Sequence, residues 1–234
     1  MGANLARSAG SVAVAISAAV LVVAVGVIVF LNPIWVGFEQ ARTRADAFTG
    51  YSLDDVHRVT NAVVGELILG PATFLQQVAG VAVFDVRERQ HLADVRSVLL
   101  GFVALVLLSI VVLVVAVWRV RDGDRARLWR SIARGTAVLA GAVIIVGAIF
   151  ALFFDAAFDL FHRLLFPGGS YTFDPGQERL VQLFPEDFWS ETSIALAVVL
   201  LILSIVVTWV ALRQAAGDAT GPASQPAMSS EGLA

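Results

Sequence analysis

Four stretches of the chain hold no charged residue and are each long enough to cross a bilayer: Ser8 to Phe38, Ser97 to Trp118, Gly135 to Phe154 and Thr192 to Leu212. A helix rising about 1.5 Å per residue needs roughly 20 apolar residues to cover about 30 Å of hydrocarbon. The first stretch exceeds that length, so its span is placed at residues 12–35. It persists as far as Asn32-Pro33 without a small-residue cleavage site after a short core, unlike a secretory signal, whose core runs about 7 to 15 residues. The pattern predicts an all-α membrane protein with four transmembrane helices. Residues 1–213 form one domain, and the Gly-, Ala-, Ser- and Pro-rich residues 214–234 read as a disordered cytoplasmic tail.

Between the spans the period changes. In the connection of residues 37–96, Ser52 with Asp54 and Asp55 reads as a helix start. Val56, Val59, Val63, Leu67 and Leu69 follow at near-helical spacing, and Pro71 to Phe84 reads as a second helix. Two placements fit this apolar stripe equally: in the lipid interface, or against the other outer loop. Residues 85–95 then run without a breaker into the second span, carrying Asp85, Glu88, His91 and Asp94 at steps of three. At the far end of the third span Asp155, Asp159 and His162 fall at i, i+4 and i+7, on one surface of the same predicted helix. Pro167-Gly168-Gly169 stops that helix, and residues 171–173 and 180–184 suggest a small hairpin around Asp174-Pro-Gly176.

Hydrophobic residues make up 58% of the chain, charged residues 15%, and the mean hydropathy is +0.82. Such a chain has no room for a separate soluble catalytic domain, so any chemistry sits in the loops or between helices. All sixteen basic residues are arginine. Six of them (Arg119, Arg121, Arg125, Arg127, Arg130 and Arg134) stand against two aspartates in the connection after the second span, a net charge of +4. The connection after the third span holds two arginines against seven acids, a net charge of −5. The positive-inside rule then puts the arginine-rich connection and both termini in the cytoplasm and the two longer connections outside. With no cysteine, thiol nucleophiles, disulfides and thiolate metal sites are excluded.

The candidate chemistry is two histidines, His91 and His162, at matching depths where two spans leave the membrane, each with an acid three residues earlier, Glu88 and Asp159. An imidazole at that level can take or give a proton to a lipid head group, and the acid at i−3 is expected to favour its charged form. His57 reads as a solvated residue of a charged turn. The carboxylate-x-x-His spacing also imitates metal sites built inside helical bundles, but the first and fourth spans supply no further acid, so no metal is expected. A contrasting reading is a non-enzymatic membrane protein whose outer loops bind an envelope partner.

The segments FDVRERQHLADV before the second span, FHRLLFPGGSYTF after the third and RLVQLFPEDFW before the fourth resemble the Lit family of bacterial lipoprotein intramolecular transacylases. The resemblance implies a four-span protein of the bacterial plasma membrane that moves the sn-2 acyl chain of a lipoprotein's diacylglyceryl group to the amino group of its N-terminal cysteine, leaving a lyso-form lipoprotein. It implies that His91 and His162 are the catalytic pair, facing outward. Arg163 and the backbone N–H groups of Gly168 and Gly169 are supporting candidates for the oxyanion or the head group, although Gly-Gly after a helix equally serves as a terminator. Diacylated lipoproteins and membrane lipid are the expected partners, with no cofactor and no nucleic acid.

Overall fold

The structure, a computed structural model, describes residues 2–120 and 124–219. In chain order it contains α1 (Gly2–Phe30), α2 (Pro33–Arg42), α3 (Ala45–Thr49), α4 (Leu53–Ile68), a two-stranded ribbon β1 (Gln77–Val78) and β2 (Val81–Ala82), α5 (Val86–Arg119), α6 (Arg125–Leu152), α7 (Phe154–Leu165), α8 (Arg179–Leu183) and α9 (Glu186–Ala219). Four helical stretches are long and apolar enough to span a membrane: Ser8–Phe30, Val86–Arg119, Arg125–Leu152 and Glu186–Asp218. The predicted fold class and the number of spans therefore hold.

The first span ends at Phe30, five residues before the predicted Trp35. The Asn32 side chain caps a new helix, accepting from the N–H groups of Ile34 at 2.9 Å and Trp35 at 3.1 Å, with Pro33 in its first position. Proline lacks the N–H that would have extended α1. The last helix runs to Ala219, so the tail assigned to residues 214–234 begins helically, and its remainder lies outside the described residues. Most of the arginine-rich connection is likewise helix, since α6 starts at Arg125; Arg121 lies outside the described residues.

In the bundle α6 packs most extensively on α9, α1 wedges against α5, α6 and α9, and α5 makes its main contact with the other spans through α1. Within a membrane such packing depends on close approach rather than on water exclusion. At Gly135 of α6 a Cβ atom would stand 2.0 Å from the carbonyl oxygen of Ala15 on α1, a spacing that only glycine permits. Across α6 and α9 the hydroxyls of Thr136 and Thr208 meet at 2.7 Å. Trp35 and Trp189 mark the end of the bundle that carries the long loops, and Trp118 and Trp209 the other end, as the two aromatic belts of a membrane protein require.

Beyond the spans the two long loops fold together into a cap with its own core. Val56, Val59, Val63 and Leu67 of α4 join Phe74, Val83, Phe84, Leu92, Leu180 and Leu183. Full burial of each such side chain contributes about 1.5–3 kcal/mol. The α4 stripe thus faces the other loop rather than lipid, and Leu69, which the sequence places in that stripe, is exposed. His57 belongs to α4, not to a turn, and is half-buried with Nε2 3.2 Å from the Gly37 carbonyl oxygen.

Two local expectations fail. Residues 71–84 form no helix: Val78 pairs with Val81 and Gln77 with Ala82 across Ala79-Gly80, both at positive φ, as a two-residue hairpin turn demands. Upstream, the Glu66 carboxylate gathers the N–H groups of Thr73 at 2.6 Å and Phe74 at 2.9 Å and the Gln76 amide at 2.8 Å. Those bonds fix the chain in a non-helical path. Conversely, the hairpin expected at residues 171–184 has its turn, with Gly176 N–H on Asp174 Oδ1 at 2.8 Å, but no strands; residues 179–183 form α8.

Candidate active site

His91 is held in place by the way α5 begins. The Asp85 side chain accepts from the Glu88 N–H at 2.8 Å, and Glu88 Oε2 accepts from the Asp85 N–H at 2.7 Å, a reciprocal capping box. Glu88 Oε1 reaches across to the Leu180 N–H at 2.6 Å, tying the start of α5 to α8. Glu88 is 2% exposed, and both its oxygens are occupied by backbone. It is a structural joint, not the partner of His91 that the i−3 spacing suggests.

One turn further on, the His91 ring is only 7% exposed, lying edge-on to Phe166 at 4.9 Å and Phe173 at 5.4 Å between centroids. Its Nδ1 stands 3.4 Å from the Ser170 hydroxyl. That hydroxyl donates to Asp94 Oδ2 at 2.7 Å, so the acid that communicates with His91 lies one turn after it.

His162 lies on α7, which is a separate helix and not the outer end of the third span. The chain breaks at Phe153, whose φ of −140° and ψ of 49° are not helical. Neither proline nor glycine marks the spot. What changes there is the pattern: α6 is apolar all round near its end, whereas α7 carries Asp155, Asp159, His162 and Arg163 against Phe154, Ala157, Phe158 and Phe161. An all-apolar helix suits hydrocarbon and an amphipathic one the interface, so the axis turns where the surroundings change.

The His162 ring, 9% exposed, packs on Phe158 at 4.1 Å and Tyr171 at 5.1 Å between centroids. Its Nδ1 is 2.8 Å from the Phe158 carbonyl oxygen. A carbonyl only accepts, so Nδ1 carries the hydrogen and Nε2 presents its lone pair. Burial pulls the pKa of His162 below the ordinary 6.5, outweighing the Phe158 carbonyl and the Asp159 carboxylate, which push it up. The expectation that the neighbouring acid would dominate is thus reversed. Asp159 itself is held by Arg163 and, at 3.4 Å, by the Tyr171 hydroxyl.

The two imidazoles, 71 residues apart in sequence, stack with centroids 6.0 Å apart and planes inclined by 27°. The supporting candidates fare less well. Arg163 is exposed and paired with Asp159. Gly169, at φ +72°, gives its N–H to the Phe166 carbonyl at 3.0 Å, so it acts as a turn residue and is not free to bind an oxyanion; Gly168 sits in the same turn. Among the described residues no three His, Cys, Asp or Glu side chains converge as a metal site.

The sequence profile described as "Lipoprotein intramolecular transacylase Lit" matches residues 11–189. The chain belongs to the Lit family. Its members are lipoprotein intramolecular transacylases, so the protein is a multi-pass membrane acyltransferase that modifies lipoproteins, and the reading as a non-enzymatic envelope scaffold is set aside. Among solved structures the fold is similar to that of the membrane-integral transacylase Lit from Bacillus cereus, with a TM-score of 0.76 at 18% identity over 92% of this chain and 99% of that one. A variant of the same Bacillus cereus protein with one histidine changed to alanine matches with a TM-score of 0.72 at 17% identity, over 92% of this chain and 96% of that one. No curated protein matches the sequence.

For this member of the family, Asp94, Ser170, Tyr171, Phe166 and Phe173 are the site residues that sequence reasoning left out. Asp94 was visible as the fourth step of the Asp85 series. Ser170 had no signal in the spacing and stood only within the segment FHRLLFPGGSYTF, because a residue after Gly-Gly obeys no period and only the folded turn brings it to His91.

Proposed function

We propose that His91 and His162 act together on a diacylated lipoprotein, moving the sn-2 acyl chain of its diacylglyceryl group to the amino group of its N-terminal cysteine. The carrying observation is the 6.0 Å stacking of the two buried imidazoles at the outer ends of α5 and α7. The cysteine nitrogen attacks the ester carbonyl, the tetrahedral oxyanion collapses, the ester C–O bond breaks and an amide C–N bond forms. Of the three ammonium protons, one stays on the amide, one ends on the freed glycerol hydroxyl and one leaves to solvent. Two imidazoles match the two protons that must move, and the reaction requires no cofactor.

The acyl chains lie in the bilayer beside the exposed apolar residues Leu160 and Leu164 of α7 and Leu100 and Val103 of α5. The peptide leaves toward a polar cleft of about 750 Å³ at the start of α5, lined by Asp85, Arg87, Asp174, Gln177 and Glu178 among others. The charge asymmetry of the connections supports an outward-facing site with both termini in the cytoplasm.

The test is co-expression with a model diacylated lipoprotein and tandem mass spectrometry of its N-terminal lipopeptide. An acyl group on the cysteine nitrogen with a lyso-glycerol is expected; an unchanged diacylglyceryl cysteine refutes the reading.

A further inference from the structure

We propose that Asp94 and Ser170 are positioning residues that hold His91 in its Nδ1–H form and thereby make it the general base of the pair. The inference rests on the catalytic reading of His91. A serine hydroxyl has one hydrogen, and in Ser170 it is spent on Asp94 Oδ2 at 2.7 Å. Toward His91 Nδ1, 3.4 Å away, the same oxygen offers only a lone pair, so Nδ1 is the donor. The neutral ring then carries its lone pair on Nε2.

When Nε2 takes a proton, the positive charge spreads to Nδ1–H, and the Asp94 carboxylate stabilises it through the intervening hydroxyl. His162 reaches the same tautomer by a different route, through the Phe158 carbonyl, and has no carboxylate behind its Nδ1. The remaining nearby acids are engaged elsewhere, Glu88 by two backbone N–H groups and Asp159 by Arg163 and Tyr171. Both imidazoles thus present Nε2 as an acceptor, but only His91 has a carboxylate relayed to its Nδ1 through a hydroxyl. This divides the roles: His91 removes the proton from the attacking nitrogen, and His162 handles the second proton. The relay joins two chain segments 76 residues apart, and its hydroxyl comes from the turn closed by the left-handed Gly169.

The decisive measurement is imidazole ¹⁵N NMR on purified, histidine-labelled protein, in which only three histidines need assignment. It is paired with turnover of a diacylated lipopeptide. Wild-type His91 should show a protonated Nδ1 and an unprotonated Nε2. Ser170→Ala should mix the tautomers of His91, leave those of His162 unchanged and lower kcat about 10- to 100-fold, with KM little changed; Ser170→Thr, which keeps the hydroxyl, should recover most of that loss. Asp94→Asn keeps an acceptor for Ser170, so the tautomer should persist while kcat falls for want of the charge. Wild-type turnover with an unmixed His91 tautomer in Ser170→Ala overturns the proposal, as does an acyl ester trapped on Ser170, which would make the serine a nucleophile. His91→Ala separates the two levels: if it stays active the catalytic reading itself fails, whereas an inactive His91→Ala beside a fully active Ser170→Ala removes the relay alone.

Discussion

At His162 the Nδ1 hydrogen is fixed on the Phe158 carbonyl and the ring is closed in by aromatic side chains. Its pKa below 6.5 keeps the imidazole neutral through the neutral range. The acidic limb of the kcat profile should therefore lie below pH 6.5. Asp159→Asn, which removes a charge that favours imidazolium, should move that limb to still lower pH; a shift upward would contradict the electrostatic account. The same depression links to stability. The unfolded chain binds this proton more readily than the folded one, so the contribution of His162 is present above pH 6.5 and is lost as pH falls through the depressed value. Glu88 belongs to a different class. Glu88→Ala would leave the Asp85 and Leu180 N–H groups without their buried acceptor, a cost of about 1–3 kcal/mol that thermal unfolding should register, and Glu88→Gln, which keeps one oxygen acceptor, should lose less. A hundredfold fall in turnover for Glu88→Gln with an unchanged melting temperature would make Glu88 a direct participant instead.

At the scale of elements, what the sequence disclosed depended on whether a signal was local. The four apolar runs needed only length, and the helix capped by Ser52 needed only its own residues, since the hydroxyl does accept the Asp55 N–H at 3.1 Å. The segment after Pro71 was misread because its path is set by Glu66, seven and eight residues upstream of the N–H groups it collects. The turn at Phe153 was invisible because no breaker marks it. Both candidate histidines were legible from type and depth, and spacing put an acid on either side of His91, but it could not tell them apart: Glu88 is engaged by the helix cap and the Leu180 N–H, whereas Asp94 meets His91 through the Ser170 hydroxyl. Helix packing offers its own check. Gly135→Val forces bulk against the Ala15 backbone and should cost about 1–3 kcal/mol or more, lowering the melting temperature in detergent. Gly141→Ala, where a Cβ meets open space, should be neutral or mildly stabilising.

At the scale of the whole molecule, α6 and α9 form the firm half of the bundle, while α5 is joined to it mainly through α1. The two histidines come one from each side of this division, His91 on α5 and His162 on α7, the helix that follows α6. In the cap, α4 and α8 share one core with Leu92 at the start of α5. Orientation can be measured directly because the chain contains no cysteine. A cysteine introduced at Asp124 should resist a membrane-impermeant thiol reagent in intact cells, and one at Gln177 should react; the reverse pattern would turn the site inward.

The central claim is that the stacked pair of imidazoles performs the acyl shift. It is tested most directly by incubating purified wild-type, His91→Ala and His162→Ala proteins with a synthetic diacylated lipopeptide and sequencing the product by tandem mass spectrometry. Wild type should place an acyl group on the cysteine nitrogen, and each alanine variant, inserted in the membrane at normal levels, should lose at least about a hundredfold in rate. Robust formation of the N-acylated lyso-product by either variant would contradict the account.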